Sequence, residues 1–190
     1  MGKPIFIIEH MEQRMWKWCV IEYKSISKIV GKDYLWITNV KRGSKELENY
    51  GKVFRESIKS MNLKKVCILD PEAKKTLETS DKEKFEYFVF GGILGDYPPR
   101  KRTKEELTQF LNLAESRNIG KEQLSTDNAV FVVSEILHGK KFGDLKFKNE
   151  IEIRINGIES TILPYSYPIV NGKPRVSDEL VNYLRRRRDN

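Results

Sequence analysis

The 190-residue chain has 39% hydrophobic and 33% charged residues, a balance that excludes a disordered protein and fits one folded domain with a continuous core. Lys and Arg outnumber Asp and Glu by 35 to 27, and the net charge of +8 favours a polyanionic neighbour such as RNA or the ribosome without requiring one. No apolar run is long enough for a signal sequence or a membrane span, so we expect a cytosolic protein without membrane contact.

Metal and disulfide chemistry are not expected. The chain has two histidines, His10 and His138, and this number is too small for a typical zinc site. The two cysteines, Cys19 and Cys67, lie in apolar stretches and are expected to be reduced thiols in the core.

Apolar runs of strand length alternate with segments of helical periodicity in the first two thirds of the chain. The predicted strands cover residues 5–8, 34–38, 66–69 and 87–90, with a further strand around 113–119. The predicted helices cover residues 15–30, which Gly31 ends, residues 45–61, and residues 127–137 with N-caps at positions 125–127. This alternation predicts an α/β fold with a mostly parallel sheet flanked by helices.

The pattern changes in the last third of the chain. Asn156-Gly157, between apolar runs at 150–155 and 158–163, predicts a β-hairpin, and residues 177–184 predict a short helix. We interpret residues 1–190 as a single domain in which 140–190 form a C-terminal, substrate-related appendage. This appendage ends in a basic run of Arg185, Arg186, Arg187 and Arg188. We interpret the run either as a solvated terminus or as a contact with RNA or a ribosomal surface.

The segment after the fourth strand is rich in glycine. Gly91, Gly92 and Gly95 are followed by Asp96, two prolines and Arg100, a pattern that matches neither a dinucleotide-binding fingerprint nor a Walker A loop. Glycine lets the backbone adopt positive φ and approach a ligand, and ligands of open α/β sheets bind at the carboxyl ends of the strands. We therefore favour a ligand-binding loop over a plain turn. A second loop, residues 117–127, leads to a helix N-terminus whose N–H groups suit an adenine ring or a carboxylate, with ordinary N-capping as the alternative.

Five segments, residues 7–12, 18–23, 66–71, 85–103 and 123–129, carry a family resemblance. Together they resemble the SPOUT class of S-adenosylmethionine-dependent methyltransferases, and within it the protein-arginine methyltransferase family that modifies a small-subunit ribosomal protein. The run Glu9-His10-Met11-Glu12 and the loop at 91–100 are its most specific parts. The resemblance implies a trefoil-knotted sheet and S-adenosylmethionine bound by Leu69, Gly91, Gly92, Leu94, Gly95, Ile119, Leu124 and Thr126.

An arginine acceptor requires carboxylates that orient the guanidinium group and receive its proton. The expected catalytic residues are Glu9, Glu12, Asp96 and Asp127, and His10 is either a helper base or a polar residue of the loop. Two alternatives stay open: an RNA methyltransferase of similar fold acting on rRNA or tRNA, which the basic charge suits, and an inactive ribosome-binding module. A ribosomal protein is the expected substrate, and both a monomer and a homodimer are compatible with the resemblance.

Overall fold

A computed structural model describes residues 2–94, 101–156 and 158–186. Within these residues, the main sheet has six parallel strands in the order β3-β2-β1-β5-β4-β6. They are β1 (Ile5–His10), β2 (Leu35–Thr38), β3 (Lys52–Val53), β4 (Val66–Leu69), β5 (Tyr87–Gly92) and β6 (Glu115–Arg117). The predicted parallel α/β sheet is confirmed.

Two long helices cover one face of the sheet. These two are α1 (Lys17–Val30) and α5 (Thr126–Leu137). The other helices are α2 (Ser44–Leu47), α3 (Asp81–Lys84), α4 (Arg102–Glu106) and α6 (Asp178–Arg186). Because side chains alternate along a strand, Phe6 and Ile8 of β1 pack with α1 and α5, whereas Ile7 packs with Ile58 and Leu107 on the other face. Both faces are therefore apolar, as in other parallel sheets.

The prediction of one helix over residues 45–61 is wrong. A Cβ at Gly51 would lie 2.6 Å from the carbonyl oxygen of Leu35, so the backbone at this position passes directly against β2. Lys52 and Val53 then pair with Trp36 and Ile37 as the short edge strand β3. The close approach and the strand pairing outweigh the helical periodicity of the segment.

Both cysteines are free and buried, as expected. Cys19 faces the core from α1, and Cys67 lies within β4. Burial raises the pKa of each thiol to about 12, so both are neutral thiols at physiological pH. No group of three His, Cys, Asp or Glu side chains among the described residues has an arrangement that would hold a metal ion.

The predicted hairpin is present and longer than expected. It consists of β7 (Phe147–Arg154) and β8 (Ser160–Val170), and β9 (Lys173–Pro174) adds a third antiparallel strand. Its apolar side and α6 pack on α1 around Ile21, Tyr167 and Leu180. Gly157 of the turn lies outside the described residues.

The predicted C-terminal helix is present as α6. The Arg185 Nε–H donates to the Arg154 carbonyl oxygen at 3.2 Å, and Arg186 is the last described residue of α6. The other two arginines of the run, Arg187 and Arg188, lie outside the described residues. Of the helices in the described part of the chain, none is long and apolar enough to span a bilayer.

Candidate active site

A cavity of about 310 Å³ opens at the carboxyl ends of the three neighbouring strands β4, β5 and β6. Its wall is formed by the segments after these strands and by the first turn of α5, as expected for an open α/β sheet. We call it the cofactor cavity. Five of the residues predicted to bind cofactor line it: Leu69, Gly91, Ile119, Leu124 and Thr126.

The remaining predicted cofactor residues lie elsewhere. Gly92 faces α1, since a Cβ there would lie 2.7 Å from the Tyr23 hydroxyl oxygen. Leu94 lines a neighbouring hollow, and Gly95 lies outside the described residues together with Asp96. The expectation of positive φ is wrong for Gly91 and Gly92, because both end β5 in ordinary strand geometry and their lack of a side chain serves close packing.

The cofactor cavity combines an apolar wall with a charged rim. Phe90, Ile93 and Ala129 complete the apolar wall. At the rim, Lys101 Nζ lies 2.5 Å from Glu72 Oε2 in an exposed ion pair. The pair raises the pKa of Lys101 and lowers that of Glu72. An apolar slot beside groups of both charges suits a ligand that carries a flat ring and a zwitterionic tail.

Sequence reasoning missed a buried acid next to this cavity. Glu22 of α1 is 5% exposed, and the Trp18 indole N–H donates to its Oε1 at 2.8 Å. First burial and then the nearby charge of Asp127 raise the pKa of Glu22 to about 8. An acid on the apolar side of an amphipathic helix was the only indication in the sequence.

Glu22 belongs to a small hollow that adjoins the cofactor cavity. Its volume is about 70 Å³, and we call it the acid hollow. Ile93 and Leu124 line both spaces and so form the shared wall. The acid hollow is lined by Trp18, Glu22, Ile93, Leu94, Leu124, Ser125 and Tyr165.

A family model for SFM1-like protein arginine N-methyltransferases matches residues 5–190. Protein arginine N-methyltransferase SFM1 of Saccharomyces cerevisiae is 35% identical, and the match covers 95% of this chain and 94% of the yeast protein. The chain belongs to this SFM1-like family. The predicted family relationship and methyltransferase class are thereby confirmed.

Solved structures support the same assignment. Yeast SFM1 complexed with SAM matches with a TM-score of 0.88 at 35% identity, over 98% of this chain and 92% of the yeast chain. Trm10 from Thermococcus kodakaraensis matches with a TM-score of 0.58 at 18% identity, over 74% of this chain and 96% of that one, and shows a common fold only. The predicted SPOUT fold is confirmed, and the trefoil knot stays a prediction.

In this SFM1-like chain, Glu9 lies away from the cofactor cavity. It is 1% exposed, and its carboxylate accepts hydrogen bonds from the hydroxyls of Thr38 and Ser57 and from the backbone N–H of Ile58. These partners join β1 to β2 and to the segment that covers the opposite face of the sheet. The contacts favour a structural role for Glu9 over the predicted catalytic one.

We expect Glu9→Gln to lower the free energy of unfolding by about 2 kcal/mol, because the amide group would turn a donor toward groups that now donate. The affinity for S-adenosylmethionine should stay unchanged, since Glu9 does not line the cofactor cavity. Urea denaturation and calorimetry measure the two effects. Lost turnover with undiminished stability would restore the catalytic interpretation.

His10 and Glu12 line a shared hollow on another side of the β1 terminus. The His10 Nδ1 lies 2.8 Å from the Tyr23 hydroxyl oxygen, and burial lowers the pKa of its imidazole. Glu12 Oε1 accepts from the Leu94 N–H at 3.1 Å and from Arg102 Nη1 at 2.9 Å. Glu12 thus positions Leu94, which lines the acid hollow, and Arg102, which lines the cofactor cavity. The contact of His10 with Tyr23 favours a polar packing role for His10.

Asp127 anchors the appendage to the start of α5. Its carboxylate accepts from Ser25 Oγ at 2.9 Å, from Ser125 Oγ at 2.8 Å and from Arg175 Nη1 at 3.0 Å. Arg175 also donates to Asn128 Oδ1 at 2.7 Å. The described acids predicted to act together therefore do not meet in one cavity: Glu9, Glu12 and Asp127 each bind a separate set of donors.

Proposed function

We propose that this chain binds S-adenosylmethionine in the cofactor cavity and methylates an arginine of a ribosomal protein. Membership of the SFM1-like family makes the chain a protein arginine methyltransferase at the level of reaction class. Solved structures of yeast SFM1 contain SAM, SAH or MTA, and this supports the cofactor prediction. The net charge of +8 suits a substrate located in a ribosomal setting.

The residues of the cofactor cavity fit this cofactor. Leu69, Ile119 and Leu124 offer an apolar surface for a purine ring, while Lys101 and Glu72 offer charges of both signs for an amino-acid tail. The N-terminus of α5, where Thr126 lines the cavity, adds the partial positive charge of a helix end. When bound, the cofactor supplies an electrophilic methyl carbon attached to a sulfonium sulfur.

The observation that carries the proposal is the cofactor cavity at the carboxyl ends of β4, β5 and β6, with a buried carboxyl group behind one wall. Methyl transfer depends mainly on alignment of the acceptor with the methyl carbon. The hydrogen-bonded pair of Arg102 and Glu12 holds the segments that border the cavity, and a fixed cavity wall favours alignment of the bound ligands. An acid beside the cavity suits a cationic arginine, because an entering cation favours its ionised form and pairs with it, whereas the phosphates of RNA offer no such partner.

Label transfer tests this proposal directly. The protein is incubated with S-adenosylmethionine labelled in its methyl group and with separated RNA and protein fractions of small ribosomal subunits. We expect label in the protein fraction, recovered as methylarginine after hydrolysis. Label in RNA alone would overturn the arginine assignment in favour of an RNA methyltransferase, and the absence of cofactor binding at millimolar concentration would overturn the proposal as a whole.

Leu124→Ala tests the location of the cofactor. The substitution removes apolar surface worth about 1.5 kcal/mol from the cavity wall, which corresponds to roughly a tenfold weaker affinity for S-adenosylmethionine. Calorimetry measures the affinity, and the ligand-induced rise in Tm should shrink in parallel. Leu63→Ala, a half-buried leucine in the cluster on the opposite face of the sheet, is the matched control. Equal affinities of the two variants would place the cofactor elsewhere.

A further inference from the structure

The acid hollow has the chemistry of a guanidinium site. The carboxyl group of Glu22 shares the hollow with two aromatic side chains, Trp18 and Tyr165, and these three residues come from α1 and β8. A guanidinium ion pairs with carboxylates through parallel N–H groups and also stacks on aromatic rings. The volume of about 70 Å³, against about 310 Å³ for the cofactor cavity, suits the head of one side chain.

The position of the hollow places such a ligand next to the methyl donor. Ile93 and Leu124 line both spaces, so the acid hollow borders the cofactor cavity. Thr126, which lines the cofactor cavity, also lies close enough to the Glu22 carboxyl group to affect its ionisation. A guanidinium group in the hollow therefore lies at the border of the cofactor cavity, where its nitrogen would face the methyl donor.

We propose that the acid hollow is the slot for the substrate arginine, with Glu22 pairing with its guanidinium group and accepting its proton during methyl transfer. This inference rests on the proposed function and deepens it by assigning the acceptor site. Trp18 orients the carboxyl group through its indole N–H, and Trp18 and Tyr165 flank the arginine.

The transfer balances in atoms and charge. A guanidinium nitrogen attacks the methyl carbon, and the new N–C bond forms as the C–S bond breaks with its electron pair passing to sulfur. The surplus proton on that nitrogen moves to the Glu22 carboxylate and then to solvent. The acceptor leaves as a methylated guanidinium ion, which keeps its single positive charge.

The charges around Glu22 suit a site that binds a cation. Asp127 on α5 is the negative neighbour of Glu22, and it is itself paired with Arg175 at 3.0 Å. Because the pKa of Glu22 is raised to about 8, the empty hollow holds a neutral acid at pH 7 and buries no unpaired charge. An entering guanidinium group favours the ionised form, so substrate binding should strengthen as the pH rises toward 8. In the described part of the chain, the other titratable groups that interact with Glu22 or line the hollow with it are Cys19, Tyr23, Tyr165 and Tyr167.

Glu22→Gln is the principal test, since the amide has the shape of the neutral acid and should fold normally. We expect kcat/KM for labelling of the ribosomal protein fraction to fall by about 100-fold or more, as the loss of a proton acceptor predicts. The affinity for S-adenosylmethionine by calorimetry should stay within about twofold of the wild type, because Glu22 does not line the cofactor cavity. Glu86→Gln, at an exposed ion pair with Lys65 at the amino end of β5, is the matched control and should retain full activity.

The pH profile provides a second readout that a purely structural role would not change. The wild-type kcat/KM should rise with pH and level off above about pH 8, whereas the Glu22→Gln profile should lack this rise. Undiminished kcat/KM in Glu22→Gln, or a parallel loss of cofactor affinity, would overturn the assignment of the slot while leaving the methyltransferase function intact. A wild-type protein that labels no protein would instead overturn the proposed function and this inference with it.

Discussion

Arg117→Met should lower the free energy of unfolding by about 3 kcal/mol, because the substitution leaves the buried carboxylate of Asp81 without its cation. Arg117 is 5% exposed and Asp81 is 6% exposed. The guanidinium Nε and Nη2 each lie 3.0 Å from one carboxylate oxygen of Asp81. The Arg117 guanidinium also lies 5.1 Å from the Phe85 ring centroid, so the bidentate pair is held in place by packing.

The effect should extend to the cofactor cavity. Arg117 ends β6, and its carbonyl oxygen accepts a hydrogen bond from the Asp70 N–H at 2.9 Å, which joins the ends of two strands that border the cavity. Urea denaturation measures the stability, and calorimetry with S-adenosylmethionine measures the affinity. Lys84→Met removes an exposed ion pair with Glu115 in the same neighbourhood and should leave the urea midpoint unchanged. Equal midpoints for the two variants would show that the buried pair contributes nothing specific.

The sequence predicts the central strands well because their buried, β-branched runs carry the information locally. Residues 5–8, 66–69 and 87–90 lie within strands of the structure, and α5 agrees with the predicted helix to within one residue. The segment at 45–61 could not be predicted in this way. Its conformation depends on the contact of Gly51 with β2, and a contact between distant parts of the chain leaves no periodic pattern.

Five of the residues that the family resemblance implied for the cofactor line one cavity, whereas the described acids predicted to be catalytic do not meet. Leu69 ends β4, and Ile119 and Leu124 follow β6, so the parallel sheet brings these residues to one edge. Glu9 also lies at a strand end, but side chains alternate along β1. Glu9 points to the same face as Ile7, away from α1 and α5. Which face carries the long helices is a property of the tertiary structure, and the sequence pattern does not contain it.

The contacts of Glu22 and Asp127 depend on the C-terminal appendage. Tyr165 reaches the acid hollow from β8, and Arg175 reaches Asp127 from a segment 48 positions along the chain. No local spacing links these residues, so neither Glu22 nor Arg175 was singled out from the sequence. The appendage therefore contributes Tyr165 to the acid hollow and Arg175 to the surroundings of Asp127, and its substrate-related role stays a prediction.

A double-mutant cycle on Asp127 and Arg175 should show a strong coupling. Arg175→Met leaves the Asp127 carboxylate, whose side chain is 8% exposed, without a cation, and we expect a loss of about 3 kcal/mol in unfolding free energy. Asp127→Asn should cost less, because the side chain of Arg175 is 19% exposed and the guanidinium keeps Asn128 and Ser25 as partners. In the double variant the buried carboxylate is gone, and we expect a coupling energy of about 1–3 kcal/mol. Additive effects of the two substitutions would contradict a direct interaction.

The same pair should also control the ionisation of Glu22. When Arg175 is replaced by Met, the charge of Asp127 is no longer neutralised, and a nearby negative charge raises the pKa of a carboxyl group. The rise of kcat/KM with pH should therefore move to higher pH in Arg175→Met, above the wild-type value of about 8. Asp127→Asn removes the negative charge that raises the pKa of Glu22, so its rise should move to lower pH. Profiles measured by label transfer on the wild type and both variants decide the matter, and a shift in the same direction for both would show that these charges do not act on the proton acceptor.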